Sequence, residues 1–244
     1  MALLWSLVVI DPLIVLSTVL CGCLSIVITL FDKTGNTAIR VARFWARSIL
    51  WFAGVRVKVE GLEKIDASGK HVFCSNHLSY MDTPVVLGHI PSQFRFLAKK
   101  GLFDIPLMGT HLRQAGHIPV PLDDPRAAVR TLAQAAKGIQ ERSTSMLIFP
   151  EGGRSDDGLL QDFKDGGAYI AIKAQVPLVP IALVGTREVL AMHSATFHPF
   201  RRVILRIGDP VPTAGRSLHD RRELMENVRE QIVNLLATAP PNPA

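Results

Sequence analysis

The chain has 244 residues, 48% of them hydrophobic, with 27 basic and 21 acidic side chains, a formal net charge of +6 and three cysteines. That length holds one α/β domain with a sizeable core plus an appendage. The odd cysteine count, without a C-x-x-C pair, argues against a disulfide framework and for a reducing compartment. Nearly all of the charge excess lies between Asp32 and Lys58, where Lys33, Arg40, Arg43, Arg47, Arg56 and Lys58 face a single acid. No basic face is visible on the rest of the chain, which argues against nucleic-acid binding. A basic stretch beside an apolar one points to anionic lipid headgroups.

Residues 2–31 carry one charge, Asp11. About 20 apolar residues cross a bilayer as a helix, and this run is long enough. A cleaved signal peptide is the alternative, but no basic residue precedes the run and no A-x-A pattern follows it. Asp11 and Pro12 can break the run, which keeps a re-entrant or hairpin insertion open. The basic residues come after it, so the positive-inside rule places the rest of the chain in the cytoplasm. Over 38–53 the spacing of Arg40, Arg43 and Arg47 predicts a helix with those arginines on one face. Ile39, Phe44, Trp45, Ile49, Trp51 and Phe52 supply apolar bulk elsewhere on it. Such a helix suits the headgroup layer; an ordinary packed helix with a wet arginine face is the alternative.

From Val55 onward short apolar runs alternate with helical stretches. Val55, Val57 and Val59 alternate with charged residues, as in a half-buried strand. Further strands are predicted at 71–75, 94–98, 116–120, 145–149, 178–184 and 202–207, and helices at 82–89, 124–141, 166–174 and 217–237. This alternation predicts an α/β fold, with a mixed, largely parallel sheet flanked by helices. The chain then divides into a membrane anchor and interfacial helix (1–54), a single α/β domain (55–238) and a proline-rich tail (239–244) expected to be disordered.

Two segments carry candidate chemistry. The first, Asn76-His77-Leu78-Ser79-Tyr80-Met81-Asp82, follows a predicted strand. A histidine at a strand end and an aspartate opening the next helix can meet across a tight loop. The carboxylate then holds one imidazole nitrogen and leaves the other free as a base. Of the eight histidines only His77 has an aspartate five residues on; taken alone, it fits a structural role as well as a catalytic one. The second segment, Phe149-Pro150-Glu151-Gly152-Gly153-Arg154-Ser155, is a glycine-rich turn after a predicted strand. Glycines let backbone approach an anion, and arginine offers a fork for phosphate. The alternative is that Arg154 pairs with Asp156 or Asp157.

Together, and in this order, the two segments resemble the glycerolipid acyltransferase family that includes the 1-acylglycerol-3-phosphate acyltransferases, with its N-H-x4-D and F-P-E-G-x-R-S blocks. The likeness continues through Phe96–Lys100, Ile105–Gly109, Gly116–Val120, Phe163–Gly166 and Val176–Ile181. The resemblance implies catalysis without a protein nucleophile or a cofactor. His77 would take a proton from the acceptor hydroxyl, and Asp82 would orient His77. The hydroxyl would then attack the thioester of acyl-CoA or an acyl carrier protein. Glu151, Gly152 and Arg154 fall on the acceptor block, Arg154 against phosphate, and Lys99 falls where an oxyanion would be stabilised. The implied product is phosphatidic acid, made from a lysophosphatidic acid-type acceptor among membrane lipids. Pro121 and Leu122 stand where many members have an acid and an arginine, and Gly153 where many have threonine; Arg126 is a candidate replacement for the arginine.

Three other classes compete. A hydrolase needs a nucleophile, and no G-x-S-x-G elbow is present. A zinc site built from His71, Cys74 and His77 matches no known spacing. A non-catalytic lipid-binding protein would not require both His77 and Asp82.

Overall fold

The computed structural model describes residues 2–121 and 123–238. Leu122 and the tail 239–244, where a family arginine is missing and disorder is expected, lie outside the described residues.

Seven strands form one sheet in the order β1-β7-β6-β2-β5-β3-β4. They are β1 (Arg56–Glu60), β2 (Val72–Ser75), β3 (Phe94–Lys99), β4 (Ile118–Val120), β5 (Ser145–Ile148), β6 (Leu178–Val184) and β7 (Arg202–Ile207). Every neighbouring pair is parallel except β6 with β7. The central strands read as continuous apolar runs because both faces are covered. Alternate residues serve opposite cores. Phe73, Leu147, Val179 and Ile181 join one core, while Val72, Cys74, Met146, Ile148 and Leu178 join the other. Each large side chain fully buried in this way contributes about 1.5–3 kcal/mol relative to exposure.

The second face is covered by α6 (Pro125–Arg142), α7 (Gly166–Ala174) and α9 (Arg221–Ala237), and the first by α3 (Asn36–Phe52) and α4 (Asp82–His89). Asp124 caps α6 through its bond from the Ala127 N–H, with Pro125 at the first helical position. Short helical pieces that the periodicity does not reveal lie at Lys100–Asp104, α5 (Met108–Gln114) and α8 (Thr186–Val189), the last numbered between α7 and α9.

The N-terminal run is helical from α1 (Ala2–Trp5) through a π-turn (Ser6–Ile10) into α2 (Asp11–Thr29). Asp11 and Pro12 therefore do not fold it back on itself. Pro12 cannot donate to the carbonyl four residues earlier, and the wider π-turn just before it accommodates the ring. Leu3–Thr29 is long and apolar enough to cross a membrane.

This helix is docked lengthwise on the domain through its small polar residues. Ser17 bonds Ser48 (2.7 Å), Thr18 accepts from the Trp45 indole (2.9 Å), Ser25 bonds His111 (2.7 Å) and Thr29 bonds Gln114 (2.7 Å). Near its start the Phe197 N–H donates to Ser6 Oγ (3.0 Å). Leu7, Val8, Val15, Leu16, Val19, Leu20, Leu24 and Val27 point outward. The polarity is inverted relative to a water-facing helix.

Two of the three arginines of the face expected on α3 also bond the backbone of the domain. Arg43 donates to the carbonyls of Pro91 and Ser92, and Arg47 Nε to that of Gly88 (2.9 Å). Both neutralise the carboxyl end of α4 and the loop beyond it. Arg40 and Arg47 are exposed, as are Phe44 and Trp51. Ala38, Ile39, Ala42, Ala46, Ile49 and Leu50 belong to the same core as Phe73 and Phe94, so one core runs across residue 54.

Candidate active site

Parallel strands present their carboxyl ends on one edge, and ligands of open α/β sheets bind there. β2 runs into Asn76-His77, its neighbour β5 runs into Phe149–Ser155, and β3, on the far side of β5, ends at Lys99. Both motifs therefore meet at the middle of the sheet.

The first loop is held rigidly. Asn76 is fully buried and exchanges two bonds with the backbone of Leu183, its Nδ2 donating (3.0 Å) and its Oδ1 accepting (2.7 Å). Ser79 Oγ donates to the Leu190 carbonyl (2.6 Å). Asp82 opens α4 with no exposed surface, and its Oδ2 accepts from His77 Nδ1 (2.8 Å), Leu78 N (2.7 Å) and Ser79 N (2.8 Å). A carboxylate in that setting only accepts, so His77 Nδ1 carries a proton, and in the neutral ring Nε2 is the acceptor. The His77 side chain remains 18% exposed. Its ring stacks on Phe149, with centroids 3.9 Å apart and planes 13° apart, which fixes its tilt.

The second loop is stitched to the first. Ser155 N donates to the His77 carbonyl (3.0 Å). Glu151 accepts from His77 N on one oxygen (2.6 Å) and from Gln161 N on the other (2.8 Å). Burial raises its carboxyl pKa, against these two backbone bonds. Glu151 thus spends both oxygens on positioning the loops. Gly152 has φ of +80°, and a Cβ there would come within 2.5 Å of Lys164 Nζ. At Gly153 a Cβ would meet nothing within 4 Å, so the threonine of other members has room here.

Arg154 does not pair with the loop acids. Asp156 Oδ1 bonds His193 (3.1 Å), and Asp157 accepts from Ser155 Oγ (2.7 Å) and Leu159 N (2.9 Å). The Arg154 guanidinium instead lies 3.4 Å over the ring of Tyr80. Lys99 is exposed at the end of β3, and Arg126 is exposed at the start of α6, beyond the edge strand β4. His71 enters β2 at the opposite end from His77. Cys74 is wholly buried among the α7 and α9 side chains, and that burial pushes its thiol pKa up and leaves it inert.

Residues 56–184, more than half of the chain, match the acyltransferase family. The chain belongs to that family. It is similar to the chloroplast 1-acyl-sn-glycerol-3-phosphate acyltransferase of Arabidopsis thaliana, 36% identical over 62% of this chain and 42% of that one. It thus spans less than half of the plant protein's length. It is also similar to the 1-acyl-sn-glycerol-3-phosphate acyltransferase alpha of Bos taurus, 27% identical over 80% of this chain and 68% of that one. Among solved structures, the 1-acyl-sn-glycerophosphate acyltransferase of Thermotoga maritima superposes with a TM-score of 0.73 at 26% identity, covering 94% of this chain and 97% of that one.

The two sequence segments bring out His77, Asp82 and Arg154 but not Phe149 as the plate behind the imidazole, Tyr80 as the seat of Arg154, or Lys164 over Gly152. Phe149 had a signal, since it is the residue where β5 gives way to the glycine-rich turn. Tyr80 and Lys164 lie within stretches that resemble the family, but nothing in the sequence gives their partners.

Proposed function

We propose that the protein transfers a fatty acyl group from a thioester donor, acyl-CoA or an acyl carrier protein, to the sn-2 hydroxyl of 1-acylglycerol-3-phosphate, yielding phosphatidic acid. The observation that carries this reading is the His77–Asp82 pair beside an arginine with no acid on it among the described residues. His77 Nε2 removes the hydroxyl proton as the oxygen attacks the thioester carbon. Asp82 stabilises the imidazolium that results, and that imidazolium returns the proton to the departing thiolate. Lys99 offers a positive charge to the oxyanion, and Arg154 grips the acceptor phosphate.

The test is a panel of acceptors read by mass spectrometry. A guanidinium forms two parallel bonds to phosphate, whereas lysine offers a point charge. Arg154→Lys is expected to raise KM for lysophosphatidic acid by about 10- to 100-fold, as for loss of one charge-assisted bond, and to leave monoacylglycerol nearly unaffected. Equal fractional losses on the two acceptors would sink the phosphate role.

We further propose that the outward face of the N-terminal helix lies in the membrane, with the catalytic edge in the cytoplasm. Its contacts with lipid are apolar and unscreened by salt. The full-length protein is expected to pellet with membranes after a high-salt wash; its release by salt alone would contradict this attachment.

A further inference from the structure

Tyr80 sits between His77 and Asp82 in sequence, is 54% exposed and makes no side-chain hydrogen bond among the described residues. Its distinguishing contact is Arg154, whose guanidinium carbon lies 3.4 Å from the ring centroid. That separation is the thickness of two stacked planar groups, so the guanidinium lies flat on the ring. A guanidinium turned edge-down would stand further off. The ring face attracts the cation while the N–H groups along its edge stay free. Face and edge are separate faculties: a flat arginine can hold the ring and grip two phosphate oxygens together.

We infer that Tyr80 is a positioning residue that sets the distance between the acceptor's phosphate and its reacting hydroxyl. The inference rests on the phosphate role proposed above for Arg154. The ring is carried on the loop that presents His77. That loop is pinned by the bonds from Leu78 N and Ser79 N to Asp82 and by Ser79 Oγ to Leu190. Arg154 comes from the other loop, where Asp156 and Asp157 are engaged with His193 and Ser155. With no acid to hold it, a long flexible arginine would sample many rotamers and lose entropy on gripping a ligand. The tyrosine face restricts it in advance, on the same loop as the base. Held there, the phosphate fixes where the hydroxyl lies relative to Nε2, so the contact bears on turnover as well as binding.

The test uses the full-length protein with lysophosphatidic acid and monoacylglycerol as alternative acceptors. Tyr80→Leu keeps apolar bulk and removes the π face. It is expected to raise KM for lysophosphatidic acid by roughly 3- to 30-fold, the range of a cation–π contact, and to lower kcat with that acceptor. KM for the donor, turnover of monoacylglycerol and the melting temperature should stay at wild-type values. Tyr80→Phe, which keeps the ring, should lie within about twofold of wild type. In an Arg154→Lys background Tyr80→Leu should add little, because both changes act through one contact. A silent Tyr80→Leu beside a selective Arg154→Lys overturns the platform and leaves the phosphate reading standing. An Arg154→Lys that strikes both acceptors equally overturns the phosphate reading itself. A lower KM in Tyr80→Leu would show that the ring competes with phosphate for Arg154, which also overturns the proposal.

Discussion

Replacing His77 with alanine is expected to lower acyl transfer by about 10²–10⁴-fold, the usual range for loss of a general base, while the protein stays folded. The imidazole is the group at this site with a free acceptor nitrogen beside a buried carboxylate, and no other histidine is placed to substitute. The fold should tolerate the change. The loop is held through backbone and neighbours, by His77 N to Glu151, Ser155 N to the His77 carbonyl and Asn76 to Leu183. The ring itself contributes its stack on Phe149 and its bond to Asp82. Activity assays paired with a melting curve check both halves. A folded His77→Ala protein with near-wild-type turnover removes His77 from the chemistry.

Asp82→Asn should be at least as damaging in rate and more so in stability. One oxygen takes three N–H donors, two of them backbone, in a place with no exposed surface. An amide that keeps its oxygen there loses the charge that stabilises the imidazolium. An amide turned the other way sets a donor against three donors. The comparable exchange in a serine protease triad costs about 10⁴-fold, and a loss of about 10³–10⁴-fold is expected here. The buried amide nitrogen would also stand where Asp82 Oδ1 has no partner among the described residues, an unsatisfied group costing about 1–3 kcal/mol. Because His77 and Asp82 act as one unit, the double variant His77→Ala/Asp82→Asn should be no slower than the worse single one. Multiplicative losses in the double variant would separate the two residues.

Much of this architecture is legible in the residues. The central strands appear as apolar runs because a parallel sheet covered on both faces needs side chains on both sides of each strand, and the edge strand β1 appears as valines alternating with charged residues. The main helices follow from their spacing and from caps such as Asp124-Pro125. The short α5 is not visible, because a helix of two turns with Gly109 and Thr110 in it leaves little periodicity. At the site, spacing finds the His77–Asp82 pair because both partners lie in one loop. It does not find what joins separate strands: Glu151 to His77, Arg154 to Tyr80, Lys164 to Gly152. For the arginines of α3, helical spacing shows which residues share a face and not what that face meets. Their partners, the carbonyls of Gly88, Pro91 and Ser92, carry no side-chain signal at all. The docking of the N-terminal helix was legible in principle. Ser17, Cys21, Ser25 and Thr29 recur every four residues within an apolar run, the stripe of small residues that lets helices approach closely.

On the function proposed above, His77 drives transfer of an acyl group to the free hydroxyl of a lysophosphatidic acid. The most direct measurement supplies full-length protein in lipid vesicles with 1-acylglycerol-3-phosphate and an isotopically labelled acyl thioester, and reads both the released thiol and the lipid product by mass spectrometry. One thiol should be released for each phosphatidic acid formed, with the label at the sn-2 position, and neither product should form from His77→Ala above background. Thiol release without labelled phosphatidic acid, or equal product from His77→Ala, would contradict it.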